Sequence, residues 1–435
     1  MTRRIREVAI VLVFFCLAVG GAKGDELDDL KHQMAQQSQK LQEMQQKLET
    51  LEAQQTQQAQ QSLTLQETVI KAIENPQTVT LPENLKWMEK IKINGDFRYR
   101  YEMIDEEGSD NRNRNRIRAR LGLTAKINDD FDTGFRLATS ENWGEDDAGD
   151  PVSTNQTLDD AFSKKSFWLD LAYFHWHPKS IGGLNVYAGK MENPFYRAGG
   201  NQLIFDSDLT PEGIALQYAG DWAEQANWFV NAGGFYVDEV KSGADTSLWG
   251  AQGGLKHTFE DKSYILGGAS LYCFGNIQGH EAFMTDNGSD KFFGNSNTGN
   301  GGFYTKDYDL TELFGEYGFN LGQTPTAVYA NYVQNGVADS SEDTGWLVGG
   351  KYGKCKDPGS WELSYDYRDL EADAVVGAFS DSDFIGGGTN GKGHRFGYTY
   401  QLAKNLQGVL TYFLNDKGDD GHDYNRLQAD LVFKF

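Results

Sequence analysis

Apolar and polar residues alternate with a period of two along most of the chain after its N-terminal segment. Successive side chains of a β-strand point to opposite faces, so each such segment predicts a strand with one apolar and one polar face. The final segment places Leu427, Ala429, Leu431, Phe433 and Phe435 on one face. A terminal strand that ends on phenylalanine is typical of a membrane barrel whose apolar face meets lipid. We interpret Phe433 and Phe435 as a signal for the barrel-assembly machinery.

The same alternation predicts an all-β membrane barrel of about sixteen antiparallel strands. The predicted strands of the first half are 91–103, 114–127, 131–143, 167–177, 184–191, 213–218, 228–237 and 248–259. Those of the second half are 264–274, 310–320, 326–334, 345–352, 361–369, 394–402, 406–415 and 424–435. Short turns alternate with longer polar loops between them. An even number of strands with short turns on one side and long loops on the other is what a bacterial outer-membrane barrel requires.

Charged residues occupy one whole face of the first predicted strands. In the second strand the arginines share one parity, whereas Ile117, Ala119 and Leu121 share the other. A soluble β-sandwich would also alternate, but it would rarely line one face with so many charges. We therefore expect a water-filled lumen with a basic wall on one side. The basic wall consists of Arg98, Arg100, Arg116, Arg118, Arg120 and Arg136.

The N-terminal residues predict a secretory signal. Arg3, Arg4 and Arg6 precede an apolar run over 8–19, and small residues follow up to Ala22. This run is well below the roughly 20 residues that cross a bilayer as a helix, and no later stretch is longer. We therefore assign residues 1–22 to a signal peptide, which directs the chain to the cell outer membrane of a Gram-negative bacterium.

A heptad repeat covers residues 25–74 and predicts a periplasmic α-helical coiled coil. Leu27, Met34, Leu41 and Leu48 hold its a positions, and polar residues such as Gln55 weaken the second half. A disordered Gln-rich linker and a lone amphipathic helix are the alternatives. Because such a coil joins several chains, we expect a homo-oligomer, most simply a trimer. Residues 75–89 form the linker, and residues 90–435 form the barrel.

Composition and charge restrict the possible partners of the protein. The chain has a formal net charge of −23, 50 glycines, 39% hydrophobic residues and a mean hydropathy of −0.58. This aromatic-rich and aliphatic-poor balance fits a water-filled barrel and excludes nucleic acid as a partner. Outer-membrane lipid and lipopolysaccharide are the expected surroundings, and no cofactor is predicted. Cys273 and Cys355 fall near opposite ends of the barrel, so we expect both to be unpaired.

Several short motifs resemble a known family. They are Phe167-Trp168-Leu169-Asp170-Leu171-Ala172-Tyr173, Ala188-Gly189-Lys190-Met191-Glu192-Asn193-Pro194-Phe195, Asp206-Ser207-Asp208 and Pro211-Glu212-Gly213. They look like the proteobacterial "putative porin" family, and a more distant similarity is to phosphate-selective porins. The resemblance implies an outer-membrane β-barrel that frequently carries an N-terminal coil, and it implies no particular solute.

The connection 192–212 is the candidate constriction. In general diffusion porins the corresponding loop folds inward and narrows the pore. If this loop does the same, Asp206 and Asp208 face the basic wall, with Arg197 and Glu212 in the same segment. Opposed charge rows favour polar solutes over apolar ones. The alternative is that these acids cap a surface loop and that the arginines only solvate the lumen.

The other candidate sites are weaker. His175 and His177 flank Trp176 near a membrane boundary, which we interpret as part of an aromatic girdle. The seven histidines look scattered, so no metal site and no catalytic residue is predicted. A passive porin for small hydrophilic solutes or ions, and not an enzyme, is the favoured function. The alternatives are a barrel phospholipase, the barrel sheath of a porin–cytochrome electron conduit, and a tether between outer membrane and cell wall.

Overall fold

The computed structural model describes residues 32, 35–40, 42–57, 60, 63, 83–145 and 148–435. The chain divides into two compact units, 1–86 and 87–435. In the first unit, residues 35–40 and 42–57 are helical, as the heptad pattern predicts. No helix among the described residues is long and apolar enough to span a bilayer. The signal peptide, part of the coil and most of the linker lie outside the described residues, and the coiled coil itself stays a prediction.

A 3-10 helix covers Glu83–Lys90, and sixteen long strands follow it among the described residues of the second unit. The first eight are β1 Ile91–Glu106, β2 Arg112–Lys126, β3 Phe131–Thr139, β4 Phe167–Trp176, β5 Leu184–Lys190, β6 Glu212–Ala223, β7 Ala226–Asp238 and β8 Thr246–Thr258. The others are β9 Tyr264–Gly275, β10 Asp309–Leu321, β11 Thr324–Asn335, β12 Thr344–Gly353, β13 Trp361–Leu370, β14 Gly391–Ala403, β15 Leu406–Lys417 and β16 His422–Lys434.

Short elements occupy the loops. Two-residue strands are Gln156–Thr157, Thr285–Asp286 and Ser289–Asp290. One-turn 3-10 helices are Asp160–Phe162, Ala198–Gly200, Gly377–Phe379 and Phe384–Gly386. Gln156–Thr157 pairs with β2 through Arg116 and Ile117, so it adds one extra strand to the sheet.

Each long strand pairs antiparallel with the next, and β16 pairs with β1 to close the barrel. Tyr99 lies opposite Leu431 at this seam. The terminal residue extends the seam, because the N–H groups of Gly95 and Phe435 each donate to the other's carbonyl, at 3.0 and 3.1 Å. The predicted closure of the last strand against the first is therefore confirmed. Closure leaves no unpaired edge among these strands.

The burial pattern is that of a barrel in lipid rather than of a soluble protein. Apolar side chains such as Ile93 and Leu121 are exposed, at 65% and 50%. Charged side chains such as Arg100 and Glu102 are buried, at 4% and 0%. Soluble proteins almost never bury charges in this number, whereas a barrel turns its polar parity inward. The parity predicted for β1 and β2 is confirmed by this distribution.

The predicted strand 131–143 is too long, since β3 ends at Thr139. The Thr139 hydroxyl accepts from the Ala119 N–H at 3.0 Å and donates to the Thr154 carbonyl at 2.8 Å. The chain beyond Thr139 therefore bonds to its own returning loop instead of to a neighbouring strand. Cys273 and Cys355 are both free, as expected.

The two ends of the barrel differ in their connections. We call the end with the short connections, such as 322–323 and 404–405, the turn end, and the opposite end the loop end. Numbered in chain order from the connection after β1, the loops that matter here are L2 (140–166), L3 (191–211) and L7 (371–390). Buried apolar residues of L3 and L7 join inward side chains of the strands in one large cluster inside the barrel. L3 and L7 therefore contribute to the interior of the barrel.

Candidate pore constriction

The basic wall follows directly from the register of β1 and β2. Arg98 lies opposite Arg118, and Arg100 lies opposite Arg116, so the two strands set like charges side by side. Such pairs destabilise a sheet unless counter-charges are close. The arrangement of arginines that the alternation predicts therefore requires acids from elsewhere in the barrel.

Part of the counter-charge comes from the wall itself. Asp96 of β1 accepts from Arg118 at 2.8 Å and from Arg120 at 2.6 Å. Asp430 of β16 accepts two hydrogen bonds from Arg100, both at 2.8 Å. Bidentate pairs of this kind are the strongest contacts that an arginine makes with a carboxylate. Arg100, Arg118 and Arg120 are thus bound groups and not free lumen charges.

The remaining counter-charge comes from three loops. Arg116 meets Glu141 of L2 at 3.4 Å, and Arg120 meets Asp208 of L3 at 3.4 Å. Arg100 meets Asp383 of L7 at 3.2 Å. Loops that supply these carboxylates are held against the wall, so the charge balance of the wall and the inward fold of the loops are one feature.

L3 reaches the opposite side of the lumen at its 3-10 turn, Ala198–Gly200. The Gly199 N–H and the Tyr196 hydroxyl donate to the carboxylate of Glu316 on β10, at 2.7 and 2.9 Å. The Tyr196 N–H also donates to the side-chain oxygen of Gln252 on β8, at 2.6 Å. L3 therefore touches strands β8 and β10 with one part and the basic wall with another.

Apolar contacts fix the middle of L3. Phe195 and Phe205 pack edge-on against the ring of Tyr272 on β9, with centroids 4.9 and 5.1 Å apart. Leu203 is completely buried, and Ile204 is nearly so. Burial of such side chains contributes roughly 1.5–3 kcal/mol each, so L3 has a core of its own inside the barrel.

The Asp-Ser-Asp turn of L3 separates its two carboxylates. The Asp208 N–H donates to Asp206 Oδ1 at 2.7 Å, which makes an Asx turn. Asp208 accepts from the Thr154 hydroxyl at 2.8 Å and lies against the basic wall. Asp206 points elsewhere: its N–H donates to the Phe379 carbonyl of L7, and its carboxylate accepts from the Ser382 N–H at 2.9 Å.

The pKa values of the two carboxyl groups are shifted in opposite directions. Burial, together with the neighbouring charges of Asp208 and Asp381, raises the pKa of Asp206 well above its usual value. Burial also acts to raise the pKa of Asp208, but Arg118 and Arg120 outweigh it and lower the pKa. Of these two carboxylates, only Asp208 lies against the basic wall, whereas the sequence led us to expect both of them there.

The other two residues assigned to the constriction lie at different places. The Arg197 guanidinium donates to the Phe205 carbonyl at 3.3 Å, so it stays within L3. Glu212 is the first residue of β6 and pairs with Lys190 at 2.8 Å on the neighbouring strand. Arg197 therefore belongs to the inward loop, and Glu212 belongs to its stem.

L7 carries a second Asp-Ser-Asp turn, which the sequence analysis did not assign. Asp381 meets Arg368 of β13 at 2.8 Å, and Asp383 meets Arg426 of β16 at 2.7 Å. The alternation of inward and outward residues in β16 is the sequence signal that could have revealed this second turn. Arg426 lies on the inward face of that strand and needed a carboxylate.

Comparisons with known proteins agree with this architecture. The family model described as "Putative porin" matches residues 104–306 and 303–435. The chain belongs to the putative porin family. Comparison with curated protein sequences gives no match.

Several solved porin structures are similar to this chain, and the first of the following shares its fold. OprB of Pseudomonas putida is 12% identical to this porin, with a TM-score of 0.54 over 80% of this chain and 96% of that chain. OmpF of Salmonella typhi is 12% identical, with a TM-score of 0.48 over 79% and 97%. OmpT of Vibrio cholerae is 16% identical, with a TM-score of 0.45 over 79% and 99%. The family and the barrel place this porin in the outer membrane, as a channel-type protein and not an enzyme.

His175 of β4 and His177, just after β4, differ from their expected place. His175 and His177 lie on the strand parity opposite to that of the exposed Phe174. The ring of His175 stacks on Tyr187, with centroids 4.3 Å apart. The two imidazoles also approach Asp132 of β3. They are therefore not part of an outward aromatic girdle, and they are clustered rather than scattered.

Proposed function

We propose that this porin is a passive diffusion channel for small hydrophilic solutes or ions, in which L3 forms the constriction. The observation that carries the proposal is the span of L3 across the lumen. Asp208 meets Arg120 on the basic wall, whereas Gly199 and Tyr196 meet Glu316 on the opposite side. A solute that crosses the barrel passes L3, so the charges of L3 act on the solute at close range.

Two cavities with polar linings support the proposal. One of about 400 Å³ lies between the basic wall and L7, and its lining includes Arg114, Glu141 and Lys417. Another of about 520 Å³ lies against L3, and its lining includes Lys351 and Glu362. Both linings mix acids and bases, which suits polar solutes of either charge better than apolar ones.

Planar-bilayer recordings of the purified full chain test the constriction. Asp208→Asn removes the carboxylate that L3 presents to Arg120 on the basic wall. We expect the reversal potential in a salt gradient to shift toward anion selectivity, because Arg118 and Arg120 lose counter-charge. The matched control is Asp420→Asn at the exposed L8 turn (418–421), which should leave selectivity unchanged. Unchanged selectivity in Asp208→Asn, or a purified protein without conductance, would contradict the proposal.

Assembly through the N-terminal segment is a second part of the proposal. The heptads of 25–74 support a periplasmic coiled coil that holds three copies together, after removal of residues 1–22. Light scattering of the purified protein in detergent gives the number of chains. Replacing Leu41 and Leu48 by Lys should dissociate the trimer and leave the barrel folded. A trimer that survives this double substitution would remove the coil from the proposal.

The surroundings of the barrel complete the proposal. Outward apolar residues support contact with outer-membrane lipid and lipopolysaccharide. Exposed Phe433 and Phe435 at the terminal strand support a signal that the assembly machinery reads. An electron-conduit sheath would need a lumen free for a partner protein, whereas L3 and L7 of this chain occupy it. Co-purification of a haem protein would favour the conduit, and conductance of the porin alone favours the channel.

A further inference from the structure

Three side chains with metal-binding chemistry meet near the turn end of the barrel. Asp132 of β3 lies directly opposite His175 of β4, and His177 follows two residues later on the same parity. One ligand atom from each of the three lies within 4.8 Å of the others. Among the described residues this is the group of histidines and acids that comes together in this way.

The orientation of His175 is fixed by its neighbours. Its Nε2 lies 2.8 Å from Asn185 Oδ1, and the Asn185 amide nitrogen donates to the Gly183 carbonyl at 3.3 Å. Because the amide oxygen can only accept, Nε2 carries the proton and Nδ1 keeps its lone pair. A histidine that binds a metal is usually held in this manner, with its other ring nitrogen donating to an oxygen.

The free lone pair points at a carboxylate. His175 Nδ1 lies 4.0 Å from Asp132 Oδ2, and His177 Nε2 lies 3.1 Å from the same oxygen. Two acceptors that face each other attract a cation rather than each other. Bonds from zinc to nitrogen and to carboxylate oxygen are about 2.0–2.2 Å long, so one ion can bridge separations of this size.

We propose that Asp132, His175 and His177 bind a divalent transition-metal ion of the Zn²⁺ class on the lumen wall. Two imidazoles and one carboxylate make a three-ligand set that leaves coordination positions open for water or a passing solute. The side chains keep 18–27% of their surface exposed, so an ion can reach them. This site is separate from the L3 constriction and does not rest on the channel function.

The local charge also favours a cation. Asp129 and Asp130 lie in the adjacent turn, and the nearby bases are Lys126 and Lys179. Both lysines pair with Asp129, at 2.9 and 2.6 Å. Asp132 therefore faces the two histidines and is not paired with either lysine. Without a metal, a hydrogen bond from His177 to Asp132 is the ordinary role of this group.

Zinc titration of the metal-stripped full chain in detergent tests the proposal by calorimetry. We expect one Zn²⁺ ion per chain, and at least a tenfold loss of affinity in each of His175→Gln, His177→Gln and Asp132→Asn. The matched control is His280→Gln, because His280 forms a single His–Asp pair with Asp238 at 3.0 Å and should not contribute. Zinc binding that is equally strong in the wild type and in His175→Gln would overturn the proposal, and so would its absence from the wild type.

A spectroscopic measurement separates this site from surface binding. Co²⁺ in place of Zn²⁺ should give visible ligand-field bands of a site with nitrogen ligands, and these should vanish in His175→Gln. Heat-modified gel mobility reports whether each variant is folded. If His177→Gln fails to fold, His175→Gln and the cobalt spectrum still decide. Bands that persist in His175→Gln mean adventitious binding elsewhere and contradict the proposal.

Discussion

L3 and L7 place the same tripeptide inside the barrel with the same turn hydrogen bond. In both Asp-Ser-Asp turns the first carboxylate accepts from the N–H of the second aspartate, at 2.7 Å in L3 and 3.0 Å in L7. The second aspartate then reaches an arginine of the basic wall, Arg120 in L3 and Arg100 in L7. One local solution, an Asx turn that projects the next carboxylate, thus serves two unrelated loops.

The two turns differ in how many buried arginines their second carboxylate compensates. Arg120 keeps Asp96 as a partner if Asp208 is removed. Asp383 lies between Arg100 and Arg426, at 3.2 and 2.7 Å, where both guanidinium groups are almost fully buried. Arg100 would keep Asp430 and Arg426 would keep Glu102, but two buried arginines rather than one would lose a counter-charge. L3 is anchored mainly by its apolar residues, whereas the tip of L7 is anchored by charge. Loss of one carboxylate should therefore matter more in L7 than in L3.

Asp383→Asn should produce the largest effect. It leaves buried positive charge under-compensated, which costs about 3–5 kcal/mol when a partner of a buried pair is lost. The free energy of unfolding from lipid vesicles in urea measures this loss, and single-channel recordings should show higher conductance with more noise as L7 leaves the wall.

Asp420→Asn is the matched control, since that carboxylate is exposed in the L8 turn and should change neither quantity. The pH dependence adds a second check. Burial acts to raise the pKa of Asp383, but Arg426 and Arg100 lower it below its usual value, so its contribution is lost as pH falls. A stability of Asp383→Asn equal to wild type at neutral pH would refute the anchoring of L7 by charge.

Gly199 offers a way to move L3 without changing any charge. Its φ is +62°, and a Cβ there would lie 2.3 Å from the ring of Tyr329. Gly200 has a φ of +71°, but a Cβ there meets only Lys351 Nζ, at 4.0 Å. Alanine at either position carries the left-handed penalty of about 1–2 kcal/mol. Only Gly199→Ala should also push the tip of L3 away from Tyr329 into the lumen and lower the conductance. Equal conductance of the two variants would mean that L3 does not sit against Tyr329.

Asp206 links the two loops and makes their contact depend on pH. Because its pKa is raised in the folded protein, folding takes up protons, and wild-type stability falls as pH rises above about 4, the ordinary value, toward the raised one. Asp206→Asn has no such slope but loses the hydrogen bond from Ser382, worth about 1 kcal/mol. The deficit of the variant should therefore shrink as pH rises, in urea unfolding at a series of pH values. A deficit that grows with pH would show that Asp206 is ionised.

Local alternation predicted most of the barrel. The parity of β1 and β2, the closure of β16 on β1 and the free cysteines required only period-two patterns and turn spacing. The end of β3 was placed too late because residues 140–143 end on Trp143, which falls on the apolar parity of Phe135 and Leu137. Their backbone instead bonds within L2, and a loop that returns to its own strand leaves no periodic signal.

The partners of the basic wall could not be predicted in the same way. Asp383 is 283 positions from Arg100, and no alternation relates a loop to the wall that it crosses. The same holds for Asp132 and the β4 histidines, which meet only because β3 and β4 pair in one register across the long L2 connection. Sequence parity tells which side chains enter the lumen, and the fold decides which of them meet.

Arg197→Gln should give the smallest change and the sharpest test of sign. Its guanidinium makes a single hydrogen bond to the Phe205 carbonyl at 3.3 Å, so the loss of stability should stay near 1 kcal/mol. Removal of a positive charge from L3 should shift the reversal potential toward cations, opposite to the shift of Asp208→Asn. If both charges act on the same stream of ions, the double variant should return toward wild-type selectivity. Shifts in the same direction would mean that the substitutions act by deforming L3, and the field across the constriction would then have no role in selectivity.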